Sequence, residues 1–263
     1  MAGMNIIIAT AVVGITGLII GLVLGIANKK FEVEVDEREI AVRGFLPGNN
    51  CGGCGYAGCD GLAAAIVKGE APVNGCPVGG ASVAEQISGV MGISAGDSEK
   101  QVAFVKCVGT CDKTERKYHY YGIPDCKEAV MAPGRGEKAC AFGCLGYGSC
   151  VTVCQFDAIH VVDGVAVVDK EKCVACGKCV AACPKQLIEL VPYSAKHLVQ
   201  CSSKEKGKAV KEACSVGCIG CMLCTKQCES GAITVTQNIA HIDYEKCTNC
   251  GKCAEKCPVK IIS

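Results

Sequence analysis

Two cysteine runs near the end of the chain restrict its fold more than any other feature. Both have the spacing C-x2-C-x2-C-x3-C, and they read Cys218-Ile-Gly-Cys221-Met-Leu-Cys224-Thr-Lys-Gln-Cys228 and Cys247-Thr-Asn-Cys250-Gly-Lys-Cys253-Ala-Glu-Lys-Cys257. A tight loop with Cys at every third position brings three thiolates to one point, and the fourth comes from across the domain. The runs therefore predict two four-thiolate sites within one small domain.

This spacing is typical of a bacterial-type ferredoxin module with two [4Fe-4S] clusters, in which the last Cys of each run ligates the other cluster. One cluster is then expected on Cys218, Cys221, Cys224 and Cys257, and the other on Cys247, Cys250, Cys253 and Cys228. Structural zinc is the alternative, because C-x2-C pairs also bind zinc. The doubled run, followed by Pro258, favours iron–sulfur clusters.

A second copy of this module lies 74 residues upstream. That offset maps Cys173, Cys176, Cys179 and Cys183 onto Cys247, Cys250, Cys253 and Cys257, and Cys140, Cys144, Cys150 and Cys154 onto Cys214, Cys218, Cys224 and Cys228. Short strands joined by turns are expected at residues 159–162, 165–168, 233–236 and 239–242. The repeat predicts two tandem ferredoxin modules.

The first copy lacks one ligand, because Tyr147 stands where the second copy has Cys221. Cys107 aligns with Cys201 by context, and the first copy has an insertion of about 20 residues that includes spare cysteines. Three alternatives follow: a three-iron cluster, a cubane completed by a spare thiol, or an additional cluster. The additional cluster would use Cys107, Cys111, Cys126 and Cys140. We favour use of the spares, whereas Cys201 and Cys214 are either further ligands or buried thiols.

A glycine-rich segment nearer the N-terminus contains a different four-cysteine pattern. Cys51, Cys54, Cys59 and Cys76 form C-x2-C-x4-C-x16-C, with a short helix expected at residues 61–68. Four thiolates without a His suit a cubane, and zinc is again the alternative. Residues 31–44 are interpreted as an acidic linker or short element, and residues 79–103 as a helix and turn that close this module.

The N-terminal residues predict a membrane anchor. Residues 6–27 carry no charge, and a helix of this length crosses a hydrocarbon core of about 30 Å. A cleaved signal peptide is disfavoured because the first residues carry no positive charge. Lys29 and Lys30 follow the apolar run, so the positive-inside rule predicts a single-pass protein of the cell (inner) membrane with its N-terminus outside and its clusters in the cytoplasm.

Composition agrees with redox function and excludes several others. The 25 Cys among 263 residues have metal-ligand spacings, which indicates thiols kept reduced in a cytosolic compartment. The formal charge is +1, and five clusters of about −2 each would lower it to roughly −9, so no nucleic-acid partner is expected. No nucleophile–base pair, G-x-G-x-x-G or P-loop is present, so we predict no catalytic residues, only one-electron transfer.

The predicted fold class is α+β: an N-terminal transmembrane helix, a small Gly-rich four-Cys iron–sulfur module and two tandem bacterial-type ferredoxin modules. The expected boundaries are 1–28 for the anchor, 29–98 for the Gly-rich [4Fe-4S] module, 99–191 for the first ferredoxin module with its insertion and 192–263 for the second. About five or six [4Fe-4S] clusters are expected.

The chain resembles the B subunit of the Rnf complex, an ion-translocating ferredoxin:NAD⁺ oxidoreductase. The resemblance rests on the N-terminal span, on Leu-Pro-Gly-Asn-Asn-Cys51-Gly-Gly-Cys54-Gly-Tyr-Ala-Gly-Cys59 and on the downstream ferredoxin runs. It implies an electron-transfer subunit of a translocating oxidoreductase, without a complete catalytic site of its own. It also implies soluble ferredoxin as donor, membrane and peripheral subunits as partners, eventual NAD⁺ reduction and export of Na⁺ or H⁺.

Two other functions remain open from the residues. One is a membrane-tethered polyferredoxin that serves a hydrogenase or dehydrogenase without ion pumping. The other is an interaction protein that binds zinc, which a colourless preparation would favour.

Overall fold

Short helices and three two-stranded sheets form the cysteine-rich part of the protein. The computed structural model describes residues 2–30, 36–96 and 99–263. The helices are α1 (Ala2–Lys30), α2 (Glu37–Phe45), α3 (Cys59–Val67), α4 (Gly80–Met91), α5 (Cys126–Ala129), a 3₁₀ turn (Pro133–Arg135), α6 (Ser149–Thr152), α7 (Lys178–Ala182), α8 (Gly207–Ala213), α9 (Leu223–Gln227) and α10 (Lys252–Glu255). The strands are β1 (Gln101–Val105), β2 (Ile159–Val162), β3 (Val165–Val168), β4 (Ile188–Pro192), β5 (Ile233–Thr236) and β6 (Ile239–Ile242). Helices as short as α5–α10 are not stable alone, so their surroundings must hold them in place.

Helix α1 contains the apolar run that the sequence assigns to an anchor. Its segment Thr10–Ala27 has a mean hydropathy of 2.4 and is not buried against the rest of the chain. In the described part of the chain, this is the one helix long and apolar enough to cross a membrane. An apolar surface of this size needs a cover, and lipid provides one.

The Gly-rich module is built on three helices. Val42 of α2, Leu62 and Ile66 of α3 and Ile87 of α4 are all almost fully buried in one core. The predicted helix begins two residues earlier than expected, at Cys59, where the side chain of Asn50 accepts a hydrogen bond from the Cys59 amide at 2.8 Å. Of the predicted linker, residues 31–35 lie outside the described residues, and most of the remainder forms α2.

Both ferredoxin hairpins have the predicted bounds. Strand β2 pairs antiparallel with β3, and β5 pairs in the same way with β6. The turns are Asp163-Gly164, with φ of 47° and 76°, and Gln237-Asn238, with φ of 51° and 64°. Positive φ at both central residues is the type I′ geometry whose twist matches a two-residue hairpin.

The internal repeat is also a structural repeat. Helix α9 begins 74 residues after α6 and helix α10 begins 74 residues after α7, and the two hairpins obey the same offset. Asp169 donates its backbone N–H to Ala158 at 2.7 Å, and Asp243 donates to Ala232 at 2.8 Å. The two modules therefore share the same backbone fold.

The expectation for residues 79–103, a helix and turn that close the Gly-rich module, was wrong at its C-terminal end. The sequence assigns residues 79–103 to the closure of the Gly-rich module, but only α4 belongs there. Residues from Gln101 onward form β1, which pairs antiparallel with β4, and Val102 and Val191 lie opposite each other in the core of the first ferredoxin module. The partners are far apart in the chain, so no local pattern marked residues 101–103 as part of a sheet.

Candidate metal centres

The thiols of the Gly-rich module lie in the loop before α3, at the first residue of α3 and in the loop after it. Burial raises the pKa of the Cys76 thiol, and the neighbouring Cys59 and Cys54 raise it further. The Gly79 amide donates to Cys76 Sγ at 3.4 Å. Cys51 is half-buried on the same loop as Cys54. This module can therefore present at least three clustered thiolates, with a fourth close by in the chain.

In the first ferredoxin module one cavity is lined by a complete four-thiol set. Its cysteines are Cys154, Cys173, Cys176 and Cys179. Burial raises the pKa of Cys179 to about 11, and the proximity of Cys173 and Cys176 adds to the shift. The fourth thiol, Cys154, comes from the other end of the module, as cross-ligation requires.

The second module repeats this exchange of thiols. One cavity is lined by Cys218, Cys221, Cys224 and Cys257. Elsewhere in the module, burial raises the pKa of Cys253, and the nearby Cys247 and Cys250 add to it. Cys228 caps the end of α9, which packs against α10, the helix that contains Cys253.

The incomplete set of the first module is joined by a thiol from the insertion. One cavity is lined by Cys126, Cys144, Cys150 and Cys183. Burial raises the pKa of Cys150 to about 12, with further contributions from Cys144, Cys126 and Cys183 in that order. The sequence could not choose Cys126 among the spares, because no residue of the second copy corresponds to the insertion.

Local hydrogen bonds hold the Cys126 thiol at that cavity. The Cys126 amide donates to Ser149 Oγ at 2.8 Å, and Ser149 Oγ donates to Asp125 at 2.9 Å. Asp125 also caps the start of α5 by accepting from the Lys127 amide at 2.7 Å. This network fastens α5 to the first residue of α6, directly before Cys150.

Tyr147 stands where the second module has Cys221, and its side chain packs near Tyr120 and Glu137. Its ring centroid lies 5.6 Å from that of Tyr120. Burial raises the pKa of Tyr147 to about 12, and the carboxylate of Glu137 adds to the shift. At neutral pH the side chain is therefore a neutral phenol and not an anionic ligand.

The remaining spare thiols do not assemble as the additional-cluster alternative required. Cys107 and Cys140 line a cavity between the two ferredoxin modules, together with Cys201 and Cys214. Cys111 is exposed, and its sulfur accepts from Arg116 Nη2 at 3.7 Å. The four thiols Cys107, Cys111, Cys126 and Cys140 thus lie at three different places.

The donor chemistry of these sites fits iron–sulfur clusters. Among the described residues, the three cavities lined by four thiols have no His, Asp or Glu in their lining. Backbone amides donate to several of the sulfurs, including Cys173, Cys183 and Cys154 at 3.3–3.5 Å. Hydrogen bonds to sulfur are a means of stabilising cluster charge. Within residues 2–30, 36–96 and 99–263, no three His, Cys, Asp or Glu side chains meet as they would around a single ion.

Family models match three of the cysteine-rich segments described above. A model described as "Putative Fe-S cluster" matches residues 46–78, one described as "4Fe-4S binding domain" matches residues 166–189, and one described as "4Fe-4S dicluster domain" matches residues 217–261. The chain is therefore an iron–sulfur protein with [4Fe-4S] ferredoxin-type domains.

Curated relatives extend the similarity over nearly the whole chain. The B subunit of the Na(+)-translocating ferredoxin:NAD(+) oxidoreductase complex of Acetobacterium woodii is 50% identical over 259 residues, which cover 98% of this chain and 78% of that protein. The chain belongs to the family of Rnf B subunits. The B subunit of the ion-translocating oxidoreductase complex of Methanosarcina acetivorans is 46% identical and covers 96% of each chain. The B subunit of the proton-translocating ferredoxin:NAD(+) oxidoreductase complex of Clostridium ljungdahlii is 45% identical over 98% of this chain and 92% of that protein.

Membership of this family settles the broad role of the chain. Its relatives are subunits of oxidoreductase complexes, so this protein is an electron-transfer subunit that works with other subunits. The apolar helix α1, together with the ion-translocating complexes of the relatives, indicates association with a membrane. The resemblance derived from the sequence is confirmed.

Proposed function

We propose that this protein accepts electrons from reduced ferredoxin and relays them to other subunits of an ion-translocating ferredoxin:NAD⁺ oxidoreductase that exports Na⁺ or H⁺. Helix α1 anchors the subunit with its N-terminus outside, and residues 29–98, 99–191 and 192–263 form three cluster-binding modules in the cytoplasm. The names of the Acetobacterium woodii and Clostridium ljungdahlii relatives support ferredoxin and NAD⁺ as the redox partners.

We infer five ligand sets, each of which would hold one [4Fe-4S] cluster. Three of these sets line a cavity with all four thiols, whereas Cys51 and Cys228 are assigned by their positions in the cysteine runs. The sets are Cys51, Cys54, Cys59 and Cys76; Cys154, Cys173, Cys176 and Cys179; Cys126, Cys144, Cys150 and Cys183; Cys218, Cys221, Cys224 and Cys257; and Cys228, Cys247, Cys250 and Cys253. Each bound cluster supplies one-electron redox capacity. The chain contributes burial and N–H donors, which tune the potentials.

The observation that carries the relay is the contact between the Gly-rich module and the first ferredoxin module. A Cβ atom added at Gly53 would lie 2.8 Å from the carbonyl oxygen of Cys176. Gly53 lies between Cys51 and Cys54, so the cluster-binding loops of two modules touch through bare backbone. Clusters held by touching loops are near neighbours, which is what electron transfer between them requires.

The ion path belongs to other subunits. Residues 6–27 of α1 contain no ionisable side chain, whereas ion pathways in membranes use such groups. Relatives named for Na⁺ and for protons are 50% and 45% identical to this chain. The electron-carrying subunit is therefore similar in complexes named for different ions.

Substitution of Gly53 tests the relay. In the purified complex, Gly53→Ala should force the two loops apart and slow ferredoxin-dependent NAD⁺ reduction several-fold, without a loss of iron. Gly89→Ala is the matched control, because a Cβ there meets nothing within 4 Å. Stopped-flow spectra after mixing with reduced ferredoxin report cluster reduction directly. The proposal fails if ferredoxin does not reduce the clusters of this subunit, or if Gly53→Ala transfers electrons as fast as Gly89→Ala.

A further inference from the structure

Four cysteines outside the segments that the family models match converge where the two ferredoxin modules meet. They are Cys107, Cys140, Cys201 and Cys214, and they line one cavity of about 410 Å³. A point at Cβ distance from Gly109 lies 3.5 Å from Cys214 Sγ and 3.7 Å from Cys107 Sγ. A similar point beside Gly143 lies 3.6 Å from Cys140 Sγ and 3.7 Å from Cys107 Sγ. We call this place the seam.

The seam is built from equivalent positions of the repeat. Cys140 corresponds to Cys214, and Cys107 corresponds to Cys201 by context. In the first module the Cys144 amide donates to Cys107 Sγ at 3.3 Å. In the second, the Cys218 amide donates to Cys201 Sγ at 3.4 Å. The same pair of thiols, with the same amide donor, is thus present twice, and the two pairs face each other.

A second donor reaches each of these sulfurs from an equivalent position. The Ser203 amide donates to Cys201 Sγ at 3.5 Å. At the equivalent position, the Gly109 amide donates to the Cys107 sulfur. Buried cysteines that act only as small hydrophobic residues need no such donors. Two amide donors to one sulfur suit a thiolate that carries charge.

Positive charge is buried beside the seam. Lys138 is only 3% exposed, and its ammonium donates to the carbonyls of Gly109 at 3.0 Å and Gly164 at 2.7 Å. Lys185 donates to the carbonyl of Gly143 at 3.0 Å. In the part of the chain that the structure describes, neither lysine forms an ion pair with a carboxylate. A buried ammonium needs a compensating negative charge, and a four-thiolate cluster would supply about −2.

From these observations we propose that Cys107, Cys140, Cys201 and Cys214 hold a sixth [4Fe-4S] cluster that bridges the two ferredoxin modules. Its amide donors Cys144 and Cys218 each belong to the ligand set of a neighbouring cluster, one in each module. The bridging role, though not the site itself, rests on the relay function proposed above. In each transfer the seam cluster gains one electron from a reduced neighbour, which is oxidised by one electron, and no bond forms or breaks.

Iron content tests the site in the full-length chain purified in detergent. Wild-type protein should contain about 24 iron and about 24 acid-labile sulfide per chain, whereas five clusters would give about 20 of each. Cys107→Ala and Cys201→Ala should each remove about four of both. Because the two thiols share one cluster, the double variant should lose no more than either single variant, and the same component should disappear from the EPR spectrum of the reduced protein.

Cys111→Ala is the matched control, because it removes an exposed thiol of the same insertion and should retain wild-type iron. The proposal is overturned by additive losses in the double variant, by unchanged iron in both single variants, by about one zinc per chain in place of iron, or by about 20 iron in the wild type. The wild-type count decides the matter even if the alanine variants do not fold. None of these measurements uses ferredoxin or NAD⁺, so the seam cluster and the relay function can fail separately.

Discussion

At the scale of single residues, the two modules differ at Tyr147 and in the use of Cys126. The second module has a thiol at position 221, whereas the first has a phenol that packs on Tyr120. The insertion compensates by bringing Cys126 to the cavity lined by Cys144, Cys150 and Cys183. The Cys126 amide donates to Ser149, which donates to Asp125, and these hydrogen bonds fix the backbone that presents the thiol to the cavity.

Loss of the Cys126 thiol should therefore damage one cluster. We expect Cys126→Ala to lose about four iron per chain, because the three remaining thiolates do not complete a cubane's ligand set. Iron analysis and EPR spectroscopy of the reduced protein measure this loss. Cys111→Ala should leave both measurements unchanged.

A rescue variant makes this prediction sharper. Tyr147→Cys restores the ligand pattern of the second module, so adding it to Cys126→Ala should restore a substantial part of the lost iron. A structural role for Cys126, for instance in packing α5, would not be rescued at residue 147. Wild-type iron in Cys126→Ala would show that Cys126 is not a cluster ligand.

The sequence predicts candidate ligands wherever cysteines recur at a fixed spacing. The offset of 74 maps Cys144, Cys150 and Cys183 onto the second module without any structure. The choice of Cys126 could not be made in this way, because the insertion has no counterpart and its path across the module depends on tertiary contacts. For Cys201 and Cys214 the repeat equivalence was visible, but only the docking of the modules shows that the equivalent thiols meet.

At the scale of elements, three cavities of the ferredoxin modules are each lined by the last Cys of one run together with thiols of the other run. Helix α9 contains Cys224 and ends before Cys228, while α10 contains Cys253 and Cys257 follows it. Cys257 lines the cavity of the Cys224 set and not its own run. Ligands shared in this way would connect α9 and α10, which are too short to be stable alone.

Cross-ligation predicts which cluster each variant loses. Cys257→Ala should damage the cluster of Cys218, Cys221 and Cys224, and Cys228→Ala should damage that of Cys247, Cys250 and Cys253. Each variant should lose about four iron, with different EPR components, and the double variant should lose about eight. If Cys257→Ala instead removes the component that Cys228→Ala is expected to remove, each run holds its own cluster and the exchange is wrong.

Elements with a local signal were predictable and those without one were not. The Asp163-Gly164 turn between two apolar runs marks the β2–β3 hairpin, and the β5–β6 hairpin follows from the repeat. The β1–β4 sheet has no such mark, because Gln101 pairs with Pro192 across the whole first module. Its two strands lie at opposite ends of the module's sequence, so no local pattern predicts their pairing.

At the scale of the whole molecule, contacts connect the thiol sets of the Gly-rich module, the first ferredoxin module and the second ferredoxin module in that order. Gly53 brings the N-terminal set against the loop of Cys176. Cys107 and Cys201 then accept amide hydrogen bonds from Cys144 and Cys218, which belong to sets in different modules. This arrangement suits a relay of electrons between neighbouring clusters.

The anchor should be separable from the clusters. Helix α1 is exposed along Thr10–Ala27, whereas the Gly-rich module has its own core of Val42, Leu62 and Ile87. Deletion of residues 1–28 should therefore release a soluble, brown protein with wild-type iron that no longer assembles in the membrane. Replacement of residues 6–27 by an apolar Leu/Ala run of equal length is the matched control, and it should keep the subunit in the membrane fraction.

Fractionation, iron analysis and native electrophoresis of membranes check each of these expectations. Recovery of the unmodified full-length chain from the cytosol without detergent would contradict the membrane anchor, and a colourless truncated protein would show that α1 is needed for cluster assembly as well.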